Sequence, residues 1–249
     1  MQKTTIQILG SSHISAIWVA INERNKFDLK NDYALKSLMD FRNDSRIIEP
    51  IIGGFENYYL NNELRSWLLS LNQIDRLVLS ISGSDYLPFC IANSEPLFDI
   101  ILPNHPHLPK IENAQLIPYQ EMKKKLRQYI RHVVLGIKVI KDIVPVPIFY
   151  LESPPPIEDN NYLLKNPGWA SHMIDKSGLS FPALRLKLWQ LHSEIVKEMC
   201  DQVGVTFLSV PRQCLNEQGF LNEMAFFDDL MHANSWYGNE ILNQLEADL

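Results

Sequence analysis

The segment Ile6-Gln7-Ile8-Leu9-Gly10-Ser11-Ser12-His13 passes from an apolar run directly into a helical pattern, and this junction decides the reading of the fold. Leu9 closes the run, Gly10 permits a tight bend, and Ile14, Ile17, Trp18 and Ile21 recur at the spacing of three and four that marks one helical face. Ser11 and Ser12 fall where the helix N-cap is expected. Free backbone N–H groups and the helix dipole at such a position would stabilise a negative oxygen.

Outward from the junction, strand and helix signals alternate. Residues 34–39 read as a second strand, with a short helix through Leu35 and Leu38 as the alternative, and residues 47–52 lead into a Gly53-Gly54 turn. Leu60, Leu64, Trp67, Leu68 and Leu71 give residues 58–71 a helical period, whereas residues 76–81 are almost continuously apolar, as in a buried strand. Met122, Leu126, Tyr129, Ile130, Val133, Ile137 and Ile140 mark one long helix ending before Pro145. A strand over residues 146–151 is stopped by Glu152-Ser153-Pro154-Pro155-Pro156. A helix over 184–203, a strand over 205–210 and a helix over 235–245 complete the chain.

This order predicts an α/β fold, a parallel sheet covered by helices on both faces. Ligands in such sheets bind beyond the carboxyl ends of the strands. Ser12, Gly54, Ser84 and Ser153 all follow predicted strands at that end. No repeat or low-complexity linker divides the chain, and residues 1–249 read as one domain. Two insertions, about 86–113 with Phe89, Phe98, His105 and His107 and about 154–181 with Tyr162, Trp169 and His172, are expected at the edge of the site. Their aromatic rings either cover a substrate or pack into the core.

Composition excludes several classes. A net charge of −6, with no Lys/Arg cluster beside the candidate site, argues against nucleic acid as a partner. Lys123-Lys124-Lys125 reads as the solvated face of a helix that is apolar on its other side. No segment is long and apolar enough to span a bilayer. The first ten residues carry no basic, apolar leader, and Cys90, Cys200 and Cys214 show no metal-ligand spacing; buried free thiols in a cytoplasmic protein are expected. His105-Pro106-His107 lacks a third ligand, so neither a metal nor a cofactor is expected.

The far end of the chain supplies what a serine needs. Asp228-Asp229-Leu230-Met231-His232-Ala233-Asn234 precedes the last predicted helix. A serine hydroxyl needs a base to take its proton, and the base needs an acceptor on its other nitrogen to fix tautomer and orientation. Asp229, three residues before His232, has the spacing to do this.

These blocks resemble those of the SGNH (GDSL-type) hydrolases. Gly10-Ser11-Ser12-His13 is similar to the family's first block, with Ser12 at the nucleophile position and Ser11 where aspartate or asparagine is frequent. Asp229-Leu230-Met231-His232-Ala233-Asn234 with Gly238 is similar to the last. The resemblance implies a flavodoxin-like three-layer α/β/α sandwich with about five mainly parallel strands, and a catalytic triad of Ser12, Asp229 and His232. It implies an oxyanion hole formed by the Ser12 N–H, a glycine N–H from Gly54 or Gly53, and the side chain at Ser84, where the family's Gly-x-Asn-Asp block has asparagine. A serine hydroxyl is a shorter donor than an amide and rotates freely.

Ser, Asp, His order also occurs in α/β-hydrolases, but their nucleophile follows several strands and sits in Gly-x-Ser-x-Gly. The Gly-x-Gly-x-x-Gly turn of dinucleotide-binding domains is absent. The resemblance therefore implies a serine esterase acting through an acyl-enzyme on a short acyl ester, such as the acetyl ester of a carbohydrate or small molecule. An acyltransferase using a sugar hydroxyl, or a non-catalytic binding protein on the same fold, are the alternatives.

Overall fold

The structure is a computed structural model in which residues 3–24, 28–41, 48–50 and 58–248 are described. In chain order the strands are β1 (Thr5–Gly10), β2 (Asp32–Ser37), β3 (Ile48–Pro50), β4 (Tyr58–Leu60), β5 (Arg76–Ser80), β6 (Phe98–Asp99), β7 (Gln115–Leu116), β8 (Ile148–Leu151) and β9 (Thr206–Leu208). The helices are α1 (Ile14–Glu23), α2 (Asn62–Leu69), α3 (Tyr119–Tyr129), α4 (Arg131–Ile143), α5 (Asn160–Lys165), α6 (Ser171–Ser177), α7 (Pro182–Val203) and α8 (Ser235–Asp248).

Five strands form a parallel sheet in the order β2-β1-β5-β8-β9. Ile6, Ile8 and Leu9 of β1 and Leu77, Val78 and Leu79 of β5 are wholly buried. Residues that alternate in direction yet are all buried require cover on both faces of the sheet. The cover is helical: α1 packs on α8 in one layer, and α3, α4 and α7 pack on one another in the other. The three-layer α/β/α sandwich expected from sequence is the observed architecture.

The strand order places the site. From β1 the chain turns to one side for β2 and to the other for β5, so a crevice opens above the carboxyl ends of β1 and β5. Gly10 is what lets the two ends close up: a Cβ there would stand 2.2 Å from Ile14 Cγ2 and 2.6 Å from the Ser80 carbonyl oxygen. The Ser11 N–H donates to that same carbonyl at 2.9 Å. In the helical layer, Gly238 of α8 lies directly on the α1 backbone, where a Cβ would be 2.0 Å from the Ala16 carbonyl oxygen.

Several local expectations are corrected. Ser11 and Ser12 do not cap α1: they form the turn before it, with Ile14 and Ser15 N–H donating to the Ser11 and Ser12 carbonyls, and His13 occupies the cap position. The strand reading of residues 34–39 holds only as far as Ser37, which caps a 3-10 turn over Leu38–Asp40. Residues 58–71 are not one helix: β4 pairs antiparallel with β3 outside the main sheet, and α2 starts only after Asn61, whose Oδ1 accepts from Glu63 and Leu64 N–H. Gly53 and Gly54 lie outside the described residues.

The long helix over residues 122–140 is two helices that meet at Ile130. The run Tyr129-Ile130-Arg131-His132-Val133-Val134, rich in aromatic and β-branched residues, has low helix propensity at the junction. Lys123 is not merely solvated, since its Nζ bonds Glu194 and Glu198 of α7 at 2.5 Å each. The insertions are partly ordered into elements: β6 pairs in parallel with β7, and residues 154–181 carry α5 and α6.

Candidate active site

Ser12 is exposed, two residues beyond β1, and His232 lies three residues before α8. Because α1 and α8 pack side by side, their N-terminal ends meet above the sheet and carry these two residues together. Ser12 Oγ is 2.7 Å from His232 Nε2, and His232 Nδ1 is 2.5 Å from Asp229 Oδ2. With the Nδ1 proton directed at the carboxylate, Nε2 presents its lone pair to the serine hydroxyl.

Asp229 is fixed by its own loop. Its Oδ1 accepts from the N–H groups of Met231 at 2.9 Å and His232 at 2.7 Å, leaving Oδ2 for the ring. Burial alone would raise its pKa, but the His232 ring and the two N–H donors outweigh it and hold the carboxyl at about 2. Asp229 is therefore ionised wherever the protein is folded near neutral pH.

Asn234 fastens this loop to α8. Its Nδ2 donates to the carbonyls of Met224 at 2.8 Å and Phe226 at 2.9 Å, while its Oδ1 accepts from Trp236 at 3.0 Å and Tyr237 at 3.3 Å. One side chain thus caps the helix and pins residues 224–226. From the 154–181 insertion, Tyr162 donates its hydroxyl to the Phe227 carbonyl at 2.7 Å and packs its ring 4.8 Å from Phe226. The insertion braces the loop that carries Asp229 and His232.

Beside Ser12 is a cleft of about 310 Å³ lined by Ser11, Ser12, Ser15, Trp18, Ser37 and Asp40, among others. Trp18 is 57% exposed there. Larger cavities of about 620, 510 and 450 Å³ are lined by residues such as Asn216 and Asn222, His107 and Leu186, and Lys124 and Arg127 respectively. None of these is lined by Ser12, Asp229 or His232, whereas the smaller cleft adjoins Ser12.

The turn after β5 completes the surroundings. Ser82 donates to Asp85 Oδ2 at 2.5 Å and faces His192 Nε2 at 3.0 Å, a buried polar cluster beneath the crevice. Ser84 offers its carbonyl to Leu87 N–H, and no hydrogen bond joins its hydroxyl to Ser12 or His232. Ser153 is buried, with its carbonyl accepting from Trp189 Nε1, rather than open to the crevice. His13 packs 5.0 Å from His232, ring to ring. Asn234 could have been read as a cap before the last helix, whereas a lone histidine after a serine gives no signal of its surroundings.

No protein-family model matches the chain, and no curated protein matches it in sequence. Solved structures do match in three dimensions. The periplasmic domain of a lipopolysaccharide acetyltransferase from Salmonella serovar Paratyphi A aligns over 99% of this chain and 84% of its own, with 17% identity and a TM-score of 0.50. A candidate acylhydrolase from Bacteroides fragilis aligns over 99% of this chain and 89% of its own, with 10% identity and a TM-score of 0.50. What is shared at these identities is the fold.

Proposed function

We propose that this chain, which has the SGNH (GDSL-type) hydrolase fold, is a serine esterase that cleaves short acyl esters through an acyl-enzyme. The observation that carries the reading is the unbroken hydrogen-bond chain Asp229–His232–Ser12 at an open cleft. Ser12 Oγ attacks the acyl carbon as His232 Nε2 takes its proton; the imidazolium then passes that proton to the leaving alkoxide. Water, deprotonated by the same nitrogen, attacks the acyl-enzyme and releases the acid. Asp229 stays ionised and holds the imidazole in one tautomer throughout.

The Ser12 N–H, which donates to no described residue, is the first oxyanion donor of this reading. Gly54 and Ser84 are its proposed companions. Trp18 beside Ser15, Ser37 and Asp40 offers an apolar face next to hydroxyl partners, which suits the sugar portion of a carbohydrate ester. The open cleft also admits a sugar hydroxyl in place of water, in which case the same acyl-enzyme serves an acyltransferase. A binding protein without chemistry would have no need of the carboxylate–imidazole–hydroxyl alignment.

Hydrolysis of p-nitrophenyl acetate, butyrate and longer esters by wild type and Ser12→Ala tests the reading. Expected is turnover that is fastest for the short acyl groups and falls at least about 10³-fold in the variant. Equal rates in both proteins, or a fluorophosphonate that fails to label Ser12, would overturn it.

A further inference from the structure

His13 is 8% exposed, its Nδ1 is sealed from solvent without a hydrogen-bond partner, and no described residue bonds its other nitrogen. Buried polar groups are nearly always satisfied, so an imidazole held this way at a reaction centre calls for a reason. Its ring lies against two things. One is His232, at 5.0 Å and a 48° tilt. The other is Gly83, where a Cβ would stand 1.9 Å from His13 Nε2 and 2.1 Å from Cδ2. The glycine, immediately before Ser84, therefore makes room for the Nε2 edge of the ring, and His13 itself directly follows Ser12 in the chain.

We propose that His13 is a further catalytic residue, whose Nε2–H donates a hydrogen bond to the acyl oxygen of the substrate, the task that the family resemblance assigns to the side chain at Ser84. The proposal rests on the esterase reading above. Burial foremost, and then the neighbouring His232, lower the His13 pKa to about 4, against the opposing pull of Asp85 and Asp229; His192 lowers it further. The ring is thus uncharged at neutral pH and carries one N–H. A sealed N–H without an acceptor is rarer than a sealed acceptor without a donor, so the proton rests on Nε2 and not on Nδ1. An uncharged donor polarises a carbonyl without competing for the proton that His232 moves.

The test compares wild type, Ser12→Ala, His13→Leu and His13→Gln by steady-state kinetics on p-nitrophenyl acetate, with sites counted by fluorophosphonate titration, and by thermal unfolding. Expected for His13→Leu is a loss in kcat of about 10²–10³-fold with little change in KM. Its melting temperature should hold or rise, because an unsatisfied polar group has been replaced by an apolar one. His13→Gln, which restores an N–H, should recover at least about tenfold of the loss. A His13→Leu variant with unchanged kcat per titrated site, or one that loses stability with no recovery of turnover by Gln, overturns the role of His13 and leaves the esterase reading intact. A wild type no faster than Ser12→Ala overturns both.

Discussion

Asp229 divides its labour between two oxygens, one holding the backbone of its own loop and one holding the His232 ring. Asparagine can imitate the first duty but not the charge of the second, and its amide permits the wrong imidazole tautomer. Asp229→Asn is expected to fold and to lose roughly 10³–10⁴-fold in kcat with KM little changed, measured on the same chromogenic ester. Two groups of the site contribute to the acid limb of stability. Asp229, held near 2 when folded, contributes stability that is full above about pH 4 and fades as pH falls toward 2. His13, held near 4, works in the same direction at higher pH: below about 6.5 the unfolded chain takes a proton that the folded chain refuses, so stability drops between 6.5 and 4. Urea unfolding at pH 7 and pH 4.5 should therefore show His13→Leu losing less than wild type over this interval, by on the order of 2 kcal/mol.

Among the elements, the contact of α1 with α8 governs the candidate site, because Ser12 lies just before one helix and Asp229 and His232 just before the other. Gly238→Ala puts a methyl group into the Ala16 carbonyl, and neither partner is a side chain that can swing aside. The intrinsic helix gain of alanine, up to about 1 kcal/mol, works against the clash without removing it. A net loss of about 1–3 kcal/mol is expected from denaturant unfolding, with a parallel fall in turnover as His232 is carried away from Ser12. Such junctions were legible where local patterns and tertiary structure agree: the glycine after Leu9, the buried strand over residues 76–81, the Asp229-x-x-His232 spacing. They were not legible where context overrides period. The apolar stripe through Met122 and Ile140 continues across the break at Ile130, so its periodicity gave no sign of two helices. The proximity of His13 to Gly83, and of Tyr162 to Phe227, joins residues about 70 apart in sequence, beyond the range of any local pattern.

Across the whole molecule, buried charges tie the insertions to α7. Lys187 and Asp99, 2% and 0% exposed, pair at 2.7 Å, and Lys187 also donates to the Pro109 carbonyl. Asp99 further accepts from the N–H groups of Ile100 and Ile111, so one ion pair fixes both ends of the stretch from β6 to Ile111. Arg185, two residues earlier on α7, donates to the carbonyls of Ile157 and Glu158 and to Asn160 Oδ1, and so holds the start of the second insertion. Lys187→Met leaves Asp99 buried without its cation and should cost about 3–5 kcal/mol in chemical denaturation. The double change Lys187→Met with Asp99→Leu should be milder than the single one, because no lone charge remains.

The hydroxyl and the imidazole that meet at 2.7 Å are separated by 220 positions in the chain. During synthesis the hydroxyl of this pair is therefore made first and the imidazole 220 residues later. Until α8 has left the ribosome and settled on α1, Ser12 is without the His232 ring that its hydroxyl meets in the folded chain. On the esterase proposal, a chain arrested before α8 is expected to be inert toward esters, with reactivity arriving when α8 docks on α1.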